Sequence, residues 1–445
     1  MNKPYIKRFQ KFSEQLFNPE LSKYARISNS YTFTRNRKMP LKDILLCCLA
    51  KKGLTTVFEL RNYFQQKETP FIKMTKQGYL QQRKRLNPQV FLHLNNRYLF
   101  DFYHSSEPHL WNGYLLLAID GSKAEVPNSK ENREVFGTSA NQYSKQCPVR
   151  ALVSGMYDIL NSFYLDIQIA HITTSENELA KQNLSCLKEL EINQPVLVIL
   201  DRGYPSLELI DFLETNRINY LIRLSCNDYI KERVHMVSSD EVVCLKHTYA
   251  RLEKIHKKQP QRYEHMKEKK ETFTRMIKKQ LPSGQELTFI TNLPDNFTSQ
   301  QIQNLYYQRW EIEKKYHTLK NKMKLESVTG KSSIYVYQDF YAQILVYNMM
   351  QDIRRNADYE AKQKGYQKGN KYCMHTNENI AIGLFKESMI KIILEKNAIK
   401  KEFLLLKLQI EMEEHVLPKR KLLGYKHKRR KNISNKYKNN QKNSF

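Results

Sequence analysis

The sequence predicts an α/β protein built on a mixed sheet, and three observations predict it. YLLLAID (114–120) and PVLVILD (195–201) are continuous apolar runs, as expected of strands buried on both faces. ALVSGMYDI (151–159) and SFYLDIQIA (162–170) read as two strands of a hairpin joined at Leu160-Asn161. Helical patterns at about 176–190 and in SLELIDFLE (206–214) alternate with strands, the last of them NYLIRL (219–224).

Residues 1 to about 108 read as a helical module. Pro40 opens a helix over the apolar run of Ile44 to Leu49, and Gly53 stands near its stop. Thr75 can cap a second helix, KQGYLQQRKRL, running to Leu86 before Asn87-Pro88. That element gathers Lys76, Arg83, Lys84 and Arg85, as a DNA-contacting helix does; a solvated basic face on a packing helix reads the same way. Residues 225–285 break the strand–helix rhythm, with 14 Lys+Arg against 8 Asp+Glu, and read as an insertion. ELTFITNL (286–293) resumes a strand, and Thr298 with Gln301 makes a capping box for a long helix to about Met323. A helix from about Val336 to Arg354 follows, and the 28 residues from Pro418 hold 11 Lys+Arg and no Asp or Glu. Such a composition predicts a tail disordered until it meets nucleic acid.

Composition narrows the function. The 445 residues imply about three domains. A net charge of +29 points to nucleic acid, although a coding bias toward Lys, Asn, Ile and Tyr accounts for part of the lysine excess. Mean hydropathy is −0.67, and no apolar run approaches the roughly 18 residues that span a bilayer. MNKPYIKRFQ lacks the apolar stretch of a secretory signal, which predicts a cytoplasmic protein. Seven scattered cysteines without a C-x-x-C pair suit reduced thiols better than disulfides or structural zinc.

The sharpest chemical signal is Tyr306, Arg309, Glu313 and Lys320. At about 100° per residue these offsets return within roughly 60° of one another, on one helical stripe. Ile302, Leu305, Ile312, Tyr316, Leu319 and Met323 supply a separate apolar stripe. An exposed face with an Arg309–Glu313 pair would look similar. Asp120 and Asp201 each close an apolar run before a glycine-containing loop, where the carboxyl ends of sheet strands leave a crevice for ligands; a turn former or helix cap is the plainer role. With Glu313 they make a set of hard oxygen donors suited to Mg²⁺ or Mn²⁺. Two such ions about 3.5–4 Å apart activate the attacking oxygen and stabilise the leaving oxygen of a phosphodiester. Arg309 and Lys320 would neutralise phosphate charge.

AIDGSKAEVPN (118–128), VLVILDRGYP (196–205) and YYQRWEIEKKYHTLKNKMKLESVTG (306–330) resemble the three signature blocks of bacterial insertion-sequence transposases of the DDE type. The nearest group is the insertion-sequence-four family, with its Tyr-Arg-Glu-Lys helix, and the resemblance runs from about residue 30 to 350. It implies a ribonuclease-H-like mixed-sheet catalytic core in two parts (109–224 and 286–355) around a β-rich insertion (225–285). A helical N-terminal DNA-binding domain (1–108) and a helical, basic C-terminal region (356–445) would flank them. It implies Asp120, Asp201 and Glu313 as catalytic ligands of two Mg²⁺ or Mn²⁺ ions, and Tyr306, Arg309 and Lys320 as holders of transposon-end DNA. The partners would be double-stranded DNA, as transposon ends and target, and a second copy of the chain in the synaptic complex, with no membrane and with action at the nucleoid. Some members trap a flipped base with an aromatic wedge from the insertion; Trp111 and Trp310 both lie outside it, leaving Tyr229, Tyr249, Tyr263 or Phe273. A metal-dependent nuclease without strand transfer, and a catalytically silent DNA-binding derivative, are the alternatives.

Overall fold

The computed structural model describes residues 3–27, 32–34, 38–69, 74–105, 108–139 and 147–419. The chain divides into two compact units, one of Met1–Ser105 with Thr318–Phe445, the other of Ser106–His317. The basic segment 420–445 lies outside the described residues.

The first unit begins with helices α1 (Pro4–Phe17), α2 (Leu21–Ala25), α3 (Leu41–Leu49), α4 (Thr56–Gln66), α5 (Lys76–Arg83) and α6 (Gln89–Ser105). Thr75 caps α5 by accepting the Gly78 N–H at 3.1 Å, as its sequence predicts. The helix stops at Arg83, so Lys84 and Arg85 lie beyond it.

The second unit carries the sheet. In chain order it holds β1 (Leu115–Glu125), α7 (Lys130–Phe136), β2 (Arg150–Asp158), β3 (Phe163–Ala170), α8 (Glu176–Glu189), β4 (Val196–Leu200), α9 (Leu207–Thr215) and β5 (Asn219–Arg223). Next come α10 (Ile230–His235), β6 (Asp240–Lys246), α11 (Tyr249–Lys258), α12 (Pro260–Lys269), β7 (Glu271–Gln280), β8 (Glu286–Thr291), α13 (Ser299–Gln308) and α14 (Trp310–His317). The eight strands form one mixed sheet in the order β3-β2-β1-β4-β5-β8-β7-β6. β1, β4 and β5 run parallel, and every other pairing is antiparallel. Leu115 to Ile119 and Leu197 to Leu200 are fully buried, which is why those runs carry no polar alternation.

The expected β-rich insertion needs correction. Residues 225–285 contribute three helices as well as β6 and β7, and both strands extend the same sheet. The backbone explains it: β8 pairs with β5 on one side and leaves its other edge unsatisfied, and β7 closes that edge. The single long helix expected from Thr298 to Met323 is also interrupted. Its capping box forms, but the helix breaks at Arg309, and α14 gives way to a π-helical turn at Thr318–Lys322.

The first unit resumes at that turn and continues through α15 (Ser333–Gln367), β9 (Met374–Thr376), α16 (Glu378–Leu394), α17 (Ala398–Glu414) and β10 (Val416–Pro418), which pairs with β9. α15 is buried almost all round between Tyr335 and Arg354, and its Asp339 and Asp352 are neutralised by Arg83 with Lys51 and by Arg8. No helix among the described residues is long and apolar enough to cross a membrane.

Candidate active site

Strand register brings the two aspartates together. The parallel β1–β4 ladder ends with Ala118 opposite Ile199. Asp120 and Asp201 each stand two residues beyond that last pair, on the same face of their strands, where the two backbones part. Asp201 closes β4 as expected. Asp120 does not close β1, which continues to Glu125 against β2, because antiparallel pairing persists after the parallel partner has ended.

Glu313 arrives on α14. Three residues on, and on the same face of that helix, the Tyr316 hydroxyl donates to the Asp120 carbonyl at 2.8 Å and ties the helix to β1. Gly155, opposite Asp120 on β2, makes room for it: a Cβ there would stand 3.0 Å from the Tyr316 oxygen and 2.9 Å from the Tyr164 ring.

Arg309 joins the three carboxylates. Its Nη2 donates to Glu313 Oε1 at 2.7 Å and lies 3.7 Å from Asp201, while Nη1 lies 3.6 Å from Asp120. The side chain is 7% exposed, and its Nε and Nη1 are buried without a hydrogen-bond acceptor among the described residues. The Tyr306 hydroxyl donates to Asp201 Oδ1 at 2.6 Å, and the Arg309 and Arg223 guanidiniums lie over its ring at 5.8 and 5.9 Å.

These contacts separate the two aspartates electrostatically. Burial pushes Asp120 up to about 6; Arg309 opposes it, and Glu313 and Glu176 add to it. Asp201 is also raised by burial, but the Tyr306 hydroxyl, the Arg202 backbone and the Arg309 charge together bring it below the usual carboxylate range. Burial and the Asp201 hydrogen bond raise Tyr306, which keeps its donated proton.

Sequence reasoning missed Glu176, the first residue of α8. A Cβ on Gly121 would stand 2.8 Å from its Oε1, and one on Gly203 would stand 3.7 Å from its Oε2. Gly121, directly after Asp120, therefore leaves room for a fourth carboxylate beside Asp120, whereas a Cβ on Gly203 would make only an ordinary contact. An acidic residue in the first turn of a helix is commonplace, so the sequence carries no signal of this role. Among the described residues no three Asp, Glu, His or Cys side chains are gathered closely enough to hold a metal ion as they stand. The donor set is nonetheless the all-oxygen set that Mg²⁺ and Mn²⁺ take, and a cationic group already lies in common reach of three of its members.

Lys320 sits in the π-helical turn of the first unit, 3.9 Å from Glu326, so the four-residue stripe counted on one unbroken helix does not form as such. Arg83 is corrected to a structural role. It is 1% exposed and bonds Gln338 and Asp339, because a buried carboxylate on α15 needs a countercharge. Lys76, Lys84 and Arg85 are exposed. Of the aromatic candidates in the insertion, Tyr249 and Phe273 are exposed, Tyr263 is buried, and Tyr229 donates to the Pro205 carbonyl. Trp310 is 56% exposed.

The family model of the transposase DDE domain matches residues 111–349, a span that contains all three signature blocks. One relative is the transposase InsG for insertion sequence element IS4 of Escherichia coli (strain K12), 23% identical over 345 residues that cover 75% of this chain and 74% of that protein. A solved structure, the piggyBac transposase synaptic complex with hairpin DNA, aligns with 92% of this chain and 82% of its own at 10% identity and a TM-score of 0.42. A match over more than half of the chain, centred on the strands and helix that carry these carboxylates, places it: the protein belongs to the transposase DDE domain family and is an enzyme of the DDE transposase class.

Proposed function

We propose that this transposase binds the terminal inverted repeats of a mobile element, cleaves at their ends, and joins the freed 3′-hydroxyls to target DNA. Asp120, Asp201 and Glu313 would be the catalytic carboxylates. The observation that carries the reading is that one guanidinium, Arg309, reaches carboxylates from three separate elements of the chain. Such convergence of like charges costs stability, which marks the cluster as a functional site rather than a structural one. The strand order β3-β2-β1-β4-β5 supports the ribonuclease-H-like reading of the core.

Two Mg²⁺ or Mn²⁺ ions, when bound, would supply the activated oxygen and the charge that stabilises the leaving oxygen. The chain's own share is positioning. Tyr306 fixes the Asp201 carboxylate, Tyr316 fixes the helix that carries Glu313, and Arg309, whose fork bonds Glu313 here, would grip phosphate once freed. Lys320 and the exposed Lys76, Lys84 and Arg85 would hold DNA by charge, and synapsis of two ends calls for a homodimer working at the nucleoid.

The test is joining. Purified protein given Mg²⁺ and a duplex with a recessed 3′-hydroxyl end from the element should covalently link that end to a second duplex. Cleavage without joining would make it a nuclease, and metal-independent binding without cleavage would make it a silent DNA-binding derivative.

A further inference from the structure

An arginine that only waits for DNA would be expected to point outward. Arg309 instead turns its fork inward and is nine-tenths buried. Only one of its three carboxylate contacts is short, Glu313 at 2.7 Å; Asp201 and Asp120 stand at 3.7 and 3.6 Å, beyond hydrogen-bond reach. Among the described residues its Nε and Nη1 have no hydrogen-bond acceptor. Charge, rather than a complete set of hydrogen bonds, holds it there.

We propose that Arg309 is a stand-in cation: it neutralises Asp120, Asp201 and Glu313 while no divalent ion is bound, competes with such ions for the carboxylate oxygens, and is released to grip a phosphate of DNA when they bind. The proposal rests on the reading of those three residues as metal ligands. Three carboxylates in common reach repel one another without a countercharge. A guanidinium supplies one positive charge at 3.6–3.7 Å from two of them. A divalent ion supplies two and takes its oxygens at about 2.0–2.1 Å, so the two cations repel and contend for the same atoms. Once displaced, the planar fork matches a phosphate bidentately. Ion loading and phosphate binding at this residue therefore favour each other, and the coupling is reciprocal.

The experiment titrates Mn²⁺ alone into the full-length wild type and into Arg309→Ala, Arg309→Lys and Asp120→Asn, reading binding heat and the unfolding midpoint in EDTA and in Mn²⁺. Arg309→Ala should bind Mn²⁺ at least about tenfold more tightly than wild type, since a unit charge some 4 Å away repels the ion even when well screened. Arg309→Lys, with a shorter reach and fewer donors, should fall between. In EDTA, Arg309→Ala should unfold at a lower temperature than wild type, and Mn²⁺ should erase the difference. Wild-type affinity equal to or tighter than that of both variants overturns the proposal. If the alanine variant does not fold, the lysine variant decides alone, and must bind more tightly than wild type. Asp120→Asn binding Mn²⁺ as wild type does would instead show that the metal-ligand reading itself is wrong.

Discussion

Tyr306→Phe separates two roles for the first residue of the signature. The substitution removes one oxygen and keeps the ring, which packs 5.2 Å from Phe289 and beneath the Arg223 and Arg309 guanidiniums. What is lost is the 2.6 Å hydrogen bond to Asp201 Oδ1. A hydrogen bond to a charged group is worth about 1.5–3 kcal/mol net. At about 1.4 kcal/mol per factor of ten that is roughly 10–100-fold, the range in which loss of a ligand-orienting partner lowers metal affinity or activity. The assay is single-turnover cleavage of an end-bearing duplex over a Mn²⁺ series, with duplex affinity measured separately by anisotropy in Ca²⁺. The Mn²⁺ dependence should shift to higher concentration by about 10–100-fold, while duplex affinity holds. Asp201 is depressed in the folded protein, so its contribution to stability is present above the usual carboxylate range and is lost as pH falls through its lowered value. The variant should lack part of that contribution, and its stability deficit should close on acidification. A variant with weakened duplex binding and an unchanged Mn²⁺ dependence would refute the positioning role and make Tyr306 a DNA contact.

Gly155→Ala should drive a methyl into the Tyr164 ring and the Tyr316 hydroxyl, costing about 1–3 kcal/mol as overpacking does and lowering cleavage with it; an unchanged unfolding midpoint counts against the Tyr316 tether. Lys386 is fully buried and donates to the Lys51 carbonyl and to Gln343, and burial together with the Lys51 charge brings it down to about 7. The unfolded chain then binds more protons between about pH 7 and the ordinary lysine range, so stability from this group rises with pH across that window and is lost as pH falls through 7. Urea midpoints of wild type should gain on those of Lys386→Gln between pH 7 and 9, and a constant gap contradicts the assignment. Removing the basic residues 418–445 should weaken duplex affinity and flatten its dependence on salt, because each lost phosphate contact releases fewer counterions; an identical slope means the tail does not touch DNA.

What the sequence made readable was local. The apolar runs leading to Asp120 and Asp201 and the capping box at Thr298 and Gln301 formed as their patterns predict, and the six apolar residues from Ile302 to Met323 are all buried although the single helix expected to carry them is interrupted. The misses lie where a distant partner decides. Asp120 falls inside β1 because β2, about 35 residues on, continues the ladder, and no pattern within 114–120 reports that. The helix break at Arg309 and the π-helical turn after His317 leave no mark in a 3.6-residue period. Arg83 looked like one more surface cation because its partner, Asp339, is some 250 residues away. Glu176 comes into the site only through the packing of α8 beside Gly121.

The most direct measurement of the central claim is Mg²⁺-dependent cleavage of an end-bearing duplex by Asp120→Asn, Asp201→Asn and Glu313→Gln, each first shown to fold and to bind the duplex. The account predicts that all three bind and that none cleaves above background. Cleavage at the wild-type rate by any one of them contradicts it, and takes that carboxylate out of the active site.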